Sequence, residues 1–126
     1  MNIKQLWVTK FSIFLITLFF TISVFAKESS QLGVISIASL PKEGQETLIL
    51  VKQGGPFPYE KDGKIFGNYE ARLPKQKRGY YHEYTVKTPK VRSRGARRII
   101  AGGQPMTSGE YYYTEDHYEN FKRIQR

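Results

Sequence analysis

Cysteine is missing from all 126 residues, and histidine occurs only at His82 and His117. The first absence excludes disulfides and thiolate metal sites, so any domain here must hold itself together by a packed core. The second leaves no material for a histidine-rich metal centre. Acid is scarce too: 11 Asp and Glu face 20 Lys and Arg, for a net charge of +9. No internal repeat and no long linker is visible, and the length admits one domain. So basic a small chain expects a polyanionic partner, whether nucleic acid, acidic polysaccharide or an anionic surface. Charge alone does not choose among these and says nothing about catalysis.

The opening stretch reads differently from the rest. Met1–Lys10 carries Lys4 and Lys10 and no acid, Phe11–Ala26 is apolar, and Lys27-Glu28-Ser29-Ser30 turns polar. A basic start, a short apolar middle and small residues at the exit describe a secretory signal. The apolar run is 16 residues and includes Ser12, Thr17, Thr21 and Ser23. That is marginal for a hydrocarbon core of roughly 30 Å, so an uncleaved membrane anchor is the weaker reading. The expectation is a signal peptide over 1–26, a mature domain over 27–126, and a secreted protein. Loss of Lys4 and Lys10 leaves the mature part at +7. An exported chain without cysteine stands apart from the disulfide-dense secreted domains.

Along the mature part, Ser29–Ser39 reads as extended. A helix opens at Leu40-Pro41-Lys42-Glu43, with Pro41 near its first turn, and stops at Gly54-Gly55 before Pro56. Asp62-Gly63 marks a turn, and Ile65–Glu70 a loop or short strand. The second half is rich in aromatic and β-branched residues and reads as strands at Tyr80–Lys87, Arg97–Ala101, Glu110–Thr114 and Tyr118–Ile124. One N-terminal helix packed on an antiparallel sheet makes an α+β domain.

Side chains alternate along a strand, so Glu83 points with Tyr81 and Thr85, while His82 points with Tyr80 and Tyr84. His82 and Glu83 therefore do not easily serve one substrate atom. An acid partner for Glu83 must come from elsewhere, and His117 is the other histidine. Each has a plain alternative: a strand glutamate is commonly a surface group, and a histidine in an Asp-His-Tyr turn is commonly structural. Arg92, Arg94, Arg97 and Arg98 fall within seven residues. Arg97 and Arg98 must face opposite ways on a strand. The guanidinium fork suits phosphate oxygens, although a solvated basic loop accounts for the same run.

Several motifs stand in order: Gly55-Pro56-Phe57-Pro58-Tyr59, Gly79-Tyr80-Tyr81-His82-Glu83-Tyr84-Thr85-Val86, Thr88-Pro89, Arg92-Ser93-Arg94-Gly95-Ala96-Arg97-Arg98-Ile99-Ile100 and Tyr112-Tyr113-Thr114-Glu115-Asp116-His117-Tyr118. This order and spacing resemble the small microbial guanyl-specific ribonucleases, nearest the ribonuclease Sa branch and more distantly barnase. The resemblance runs from about Leu40 onward. It implies that Glu83 is the general base and His117 the general acid. It implies that Arg94 and Arg98 grip the phosphate, with Tyr118 touching it, and that Arg97 is structural or a surface group. It implies that Glu70 reads guanine, that Phe66 stacks on the base, and that Asn68 lies in the base-binding loop. Pro56 resembles a cis-proline position. Gly67 and Tyr69 depart from the larger polar or basic residues often found there, which bears on the strictness of guanine preference.

The activity implied by the resemblance is that of an endoribonuclease acting on single-stranded RNA. RNA supplies its own nucleophile, the ribose 2′-hydroxyl, so no metal or other cofactor is required. A monomer without lasting membrane association is implied, with an acidic barstar-like inhibitor protein as a candidate partner. Deployment as a toxin against competitors keeps the same chemistry. A non-catalytic RNA- or polyanion-binding protein would share the charge and the salt dependence, and turnover separates it from an enzyme.

Overall fold

The structure, a computed structural model, describes residues 32–126. The expected signal, Met1–Ala26, lies outside the described residues. The elements are β1 (Gly33–Ser36), a 3-10 turn (Ile37–Ser39), α1 (Lys42–Gln53), β2 (Ile65–Phe66), β3 (Tyr81–Thr85), β4 (Arg98–Gly102), β5 (Tyr111–Thr114) and β6 (Lys122–Gln125). They form one sheet in the order β1-β6-β5-β4-β3-β2. The expected α+β class holds, with two corrections. The stretch before the helix that reads as extended supplies β1, and it pairs parallel, not antiparallel, with the last strand, Gly33 opposite Lys122 through Ser36 opposite Gln125. The final strand also starts at Lys122 rather than Tyr118, because residues 114–120 close into a turn.

The helix begins without a side-chain cap at Pro41, whose carbonyl accepts from Gln45 N. The Gln45 side chain turns back to the Leu40 carbonyl at 3.1 Å, occupying an acceptor just outside the helix. Gly54, at φ 81, ends it with its N–H on the Leu50 and Val51 carbonyls, a conformation glycine adopts without strain. The following Gly55–Pro56 bond is cis, as the resemblance implied. Gly44, Thr47, Leu48 and Val51 form the buried stripe at helical spacing.

The sheet has a core on each face. Under the helix, Leu48 and Val51 meet Tyr84, Val86, Ile99, Ala101, Tyr111 and Tyr113. On the other face, Tyr81, Ile100, Tyr112, Phe121 and Leu73 form a second cluster against Phe66 and Tyr118. The two-residue alternation of β3 and β4 thus fixes which residues stand where. His82 goes with Tyr84 toward the helix side. Glu83, Thr85 and Arg98 go to the other side.

Candidate active site

The register of the central strands assembles the site. Glu83 lies opposite Ile100, and Thr85 opposite Arg98, which itself lies opposite Thr114. The Glu83 side chain is 15 % exposed and is held at both oxygens. Oε1 accepts from Arg94 Nη2 at 3.1 Å, and Oε2 accepts from the Tyr118 hydroxyl at 2.6 Å. Arg94 is itself fixed by Thr85 Oγ1, which accepts from its Nη2 at 2.8 Å and its Nε at 3.1 Å. Burial, and then the Glu83 carboxylate beside it, push the Tyr118 hydroxyl up to about 12, so it stays a donor across ordinary pH.

Arg98 is 2 % exposed. Its Nη1 donates to the Gly95 and Arg97 carbonyls at 2.9 and 2.7 Å, while Nε is enclosed without a partner. Among the described residues it has no carboxylate at ion-pair distance. An enclosed cation without a counter-charge is costly, and a bound anion is what would relieve it. Its guanidinium stands 6.0 Å from the centre of the Tyr118 ring. Arg97, on the opposite face, pairs with Glu43 of α1 at 3.5 Å, a structural use.

His117 is exposed and sits in a tight loop built around Thr114 and Asp116. Thr114 Oγ1 donates to Asp116 Oδ1 at 2.9 Å and accepts from Tyr118 N at 3.2 Å. Asp116 also accepts from Asn120 N and Asn120 Nδ2, at 2.9 and 2.8 Å. These bonds, the Asn120 side chain first, hold the Asp116 carboxyl below its ordinary range. His117 and Tyr118 both take left-handed backbone, φ 55 and 74, and His117 N donates to the Ala96 carbonyl at 3.0 Å. These bonds fix the backbone that carries the imidazole.

Both groups open on one cleft of about 510 Å³. Its wall includes Glu83, His117 and Tyr118 as well as Phe66 through Glu70 and Arg72. Phe66 packs against Tyr118 with ring centres 4.9 Å apart. Asn68, at φ 53, spends its side chain inside the loop: Nδ2 donates to the Leu73 carbonyl at 3.0 Å, and Oδ1 accepts from Leu73 N at 3.1 Å. These two bonds hold the Asn68 side chain against the loop. The Tyr69 ring lies over Gly67, where a Cβ would stand 2.5 Å from its Cζ, and its hydroxyl accepts from Arg78 Nη1 at 2.5 Å. Glycine at 67 is what admits the ring.

A family model described as ribonuclease matches residues 25–125. Guanyl-specific ribonuclease St of Saccharopolyspora erythraea is 50% identical over 95 residues, covering 75% of this chain and 90% of that protein. Guanyl-specific ribonuclease Sa of Kitasatospora aureofaciens is 50% identical over 94 residues, covering 75% of this chain and 95% of that one. The chain belongs to the microbial guanyl-specific ribonucleases. The crystal structure of ribonuclease Sa2 with guanosine-2′-cyclophosphate matches with a TM-score of 0.69 at 44% identity, covering 75% of this chain and 97% of that one.

In this guanyl-specific ribonuclease the structure brings Glu83, Arg94 and Tyr118 into direct contact, with Arg98 beside the tyrosine ring. Glu83, His117 and Tyr118 share the cleft with Phe66, Asn68 and Glu70. Sequence reasoning did not single out Thr85, which anchors Arg94, nor Thr114 and Asp116, which shape the histidine loop. Their spacing around His117 was the available signal: Thr114 and Asp116 are residues that bond to nearby backbone. It also missed Asp62, whose Oδ1 accepts from Thr85 N at 2.7 Å and so ties a surface turn to the strand that bears Glu83.

Proposed function

We propose that this protein cleaves single-stranded RNA on the 3′ side of guanosine through a 2′,3′-cyclic phosphate. The observation that carries the reading is the shared cleft, whose wall includes Glu83 and His117 together with an aromatic and a carboxylate, Phe66 and Glu70. Glu83 takes the proton of the ribose 2′-hydroxyl as that oxygen attacks phosphorus. Protonated His117 gives a proton to the leaving 5′-oxygen. In the second step His117 takes a proton from water as the water attacks the cyclic phosphate, and Glu83 returns one to the 2′-oxygen. Positioned acid and base groups of this kind contribute roughly 10²–10⁴-fold. Arg94, Arg98 and the Tyr118 hydroxyl meet the charge that develops on the phosphate oxygens. The orphaned donor and missing counter-charge at Arg98 support that assignment.

Guanine is selected by hydrogen-bond direction. Its N1–H and N2–H₂ donate, and a carboxylate accepts both, whereas adenine presents an acceptor at N1. Glu70 is the reader and Phe66 the stacking surface, with main-chain groups of the Gly67–Glu70 loop facing the base. A bidentate base contact discriminates by about 1–3 kcal/mol, while stacking adds affinity without choice.

The same reading takes Met1–Ala26 as a signal removed on export, supported by its basic start, apolar middle and small-residue exit. The mature enzyme is secreted and acts as a monomer. Its basic charge suits an acidic inhibitor protein, with an association rate that falls as salt rises. The mass of the exported species tests the cleavage site.

The catalytic assignment is tested with Glu83→Gln and His117→Gln on the dinucleotide GpC. Each should lower kcat by at least about 10²-fold while leaving the folding midpoint within a few degrees. Full activity in either variant contradicts its assigned role.

A further inference from the structure

We infer that Arg72 is a positioning residue that couples guanine recognition to the catalytic acid. The inference rests on the reading of Glu70 as the guanine acceptor. All three guanidinium nitrogens of Arg72 are engaged, and on two different loops. Nε and Nη2 both reach Glu70 Oε2, at 2.9 and 2.7 Å. Nη1 donates to the main-chain carbonyl of Glu119 at 2.6 Å, 47 positions away. Glu119 is two residues beyond His117 and shares the cleft wall with it. One side chain therefore spans from the base-reading carboxylate to the loop that carries the acid.

The geometry suits that use. Both contacts fall on Oε2, so Oε1 has no partner among the described residues and is free to accept one guanine donor, while the second donor of the bidentate contact shares Oε2 with the fork. Ala71, between the two residues, is in left-handed backbone at φ 52, and its N–H donates to the Asn68 carbonyl at 3.0 Å. That turn brings Glu70 and Arg72 together although they are only two positions apart. Leu73, next in sequence, is buried and clamped by Asn68, which anchors the base of the arginine. The Glu70 and Arg72 side chains are 71 % and 43 % exposed. Ion pairs that exposed contribute little to folding, so what the fork provides is orientation. A planar guanidinium fixes the carboxylate's angle as a single ammonium does not.

The test uses Arg72→Ala, Arg72→Lys, Glu70→Gln and the double variant Arg72→Ala/Glu70→Gln, on GpC and ApC, with affinity for guanosine 3′-monophosphate measured separately. Arg72→Ala should raise KM and lower kcat on GpC, for a combined loss of about tenfold, and change ApC cleavage by about threefold or less. In the Glu70→Gln background it should cost little further nucleotide affinity, because the two residues act through one contact. Arg72→Lys should restore part of the nucleotide affinity and little of kcat, since one ammonium cannot bridge Glu70 and Glu119 together. Equal losses on GpC and ApC, additive effects in the double variant, or GpC cleavage by Arg72→Ala within about twofold of wild type would each overturn the inference. A Glu70→Gln enzyme with an unchanged GpC-to-ApC ratio would instead remove the reading beneath it, and the inference with it.

Discussion

Replacing Thr114 with Val tests whether the histidine loop is held by one hydroxyl. Thr114 is 1 % exposed, so valine fills the same space. The change removes the donor to Asp116 at 2.9 Å and the acceptor for Tyr118 N at 3.2 Å and Asp116 N at 3.4 Å. A buried polar group left without its partner costs about 1–3 kcal/mol, and water reaches the Asp116 side, so a net loss of about 2 kcal/mol is expected. For a domain of this size that lowers Tm by about 8–16 °C. His117 and Tyr118 sit at φ 55 and 74, conformations that cost L-residues roughly 1–2 kcal/mol each and that the hydroxyl bonds help to hold. Relaxation of that backbone moves the imidazole, and a displacement of about 1 Å can cost about 10²-fold in rate. Thermal unfolding and GpC kinetics on the same preparation should show both effects, with kcat falling further than KM rises. A lowered Tm with unchanged kcat would refute the idea that this bond places the acid, and an unchanged Tm would refute the energetic argument itself.

The Asp116 carboxyl lies below its ordinary range in the folded chain, with the Asn120 side chain the first cause. Its stabilising contribution is therefore complete above the unfolded value of about 3.9 and is lost as pH falls through the lowered value. The stability gap between wild type and Asp116→Asn should hold steady between about pH 6 and 5 and shrink as pH falls from about 4 toward 2 in denaturant titrations, and a gap constant down to about pH 2 would contradict the assignment. Gly44 sits in the buried stripe of α1, where an added Cβ would meet Leu40 Cβ at 3.5 Å and Pro41 Cδ at 3.6 Å, ordinary contacts. Gly44→Ala should raise stability by about 0.5–1 kcal/mol, read as a higher urea midpoint, and a lower midpoint would show that the helix cannot take the methyl.

The parts of the fold with local signals were legible in the sequence. Pro41 and Gly54 punctuate the helix, and alternation along the strands set Glu83 apart from His82 and Arg97 apart from Arg98, while the choice of Arg98 over Arg97 came from the family resemblance. The parallel pairing of β1 with β6 was not legible, because it joins residues about 90 positions apart and a four-residue strand carries no mark of its partner. The start of the last strand was read too early because Tyr118 favours strands by type, while the bonds of Thr114, Asp116 and Asn120 set the backbone there. The candidate site's charged residues were visible as residues. Their supports were not: Thr85 under Arg94, and Arg72 reaching from Glu70 to Glu119, depend on contacts made only by the folded chain.

Digestion of a defined RNA containing a single guanosine, with analysis of both new ends, tests the central claim most directly. The account predicts one early cut, on the 3′ side of that guanosine, with a 2′,3′-cyclic phosphate that later opens to a 3′-phosphate, and loss of the cut in Glu83→Gln and His117→Gln. Cuts scattered without regard to base, a 5′-phosphate at the new end, or cleavage that survives both substitutions would contradict it.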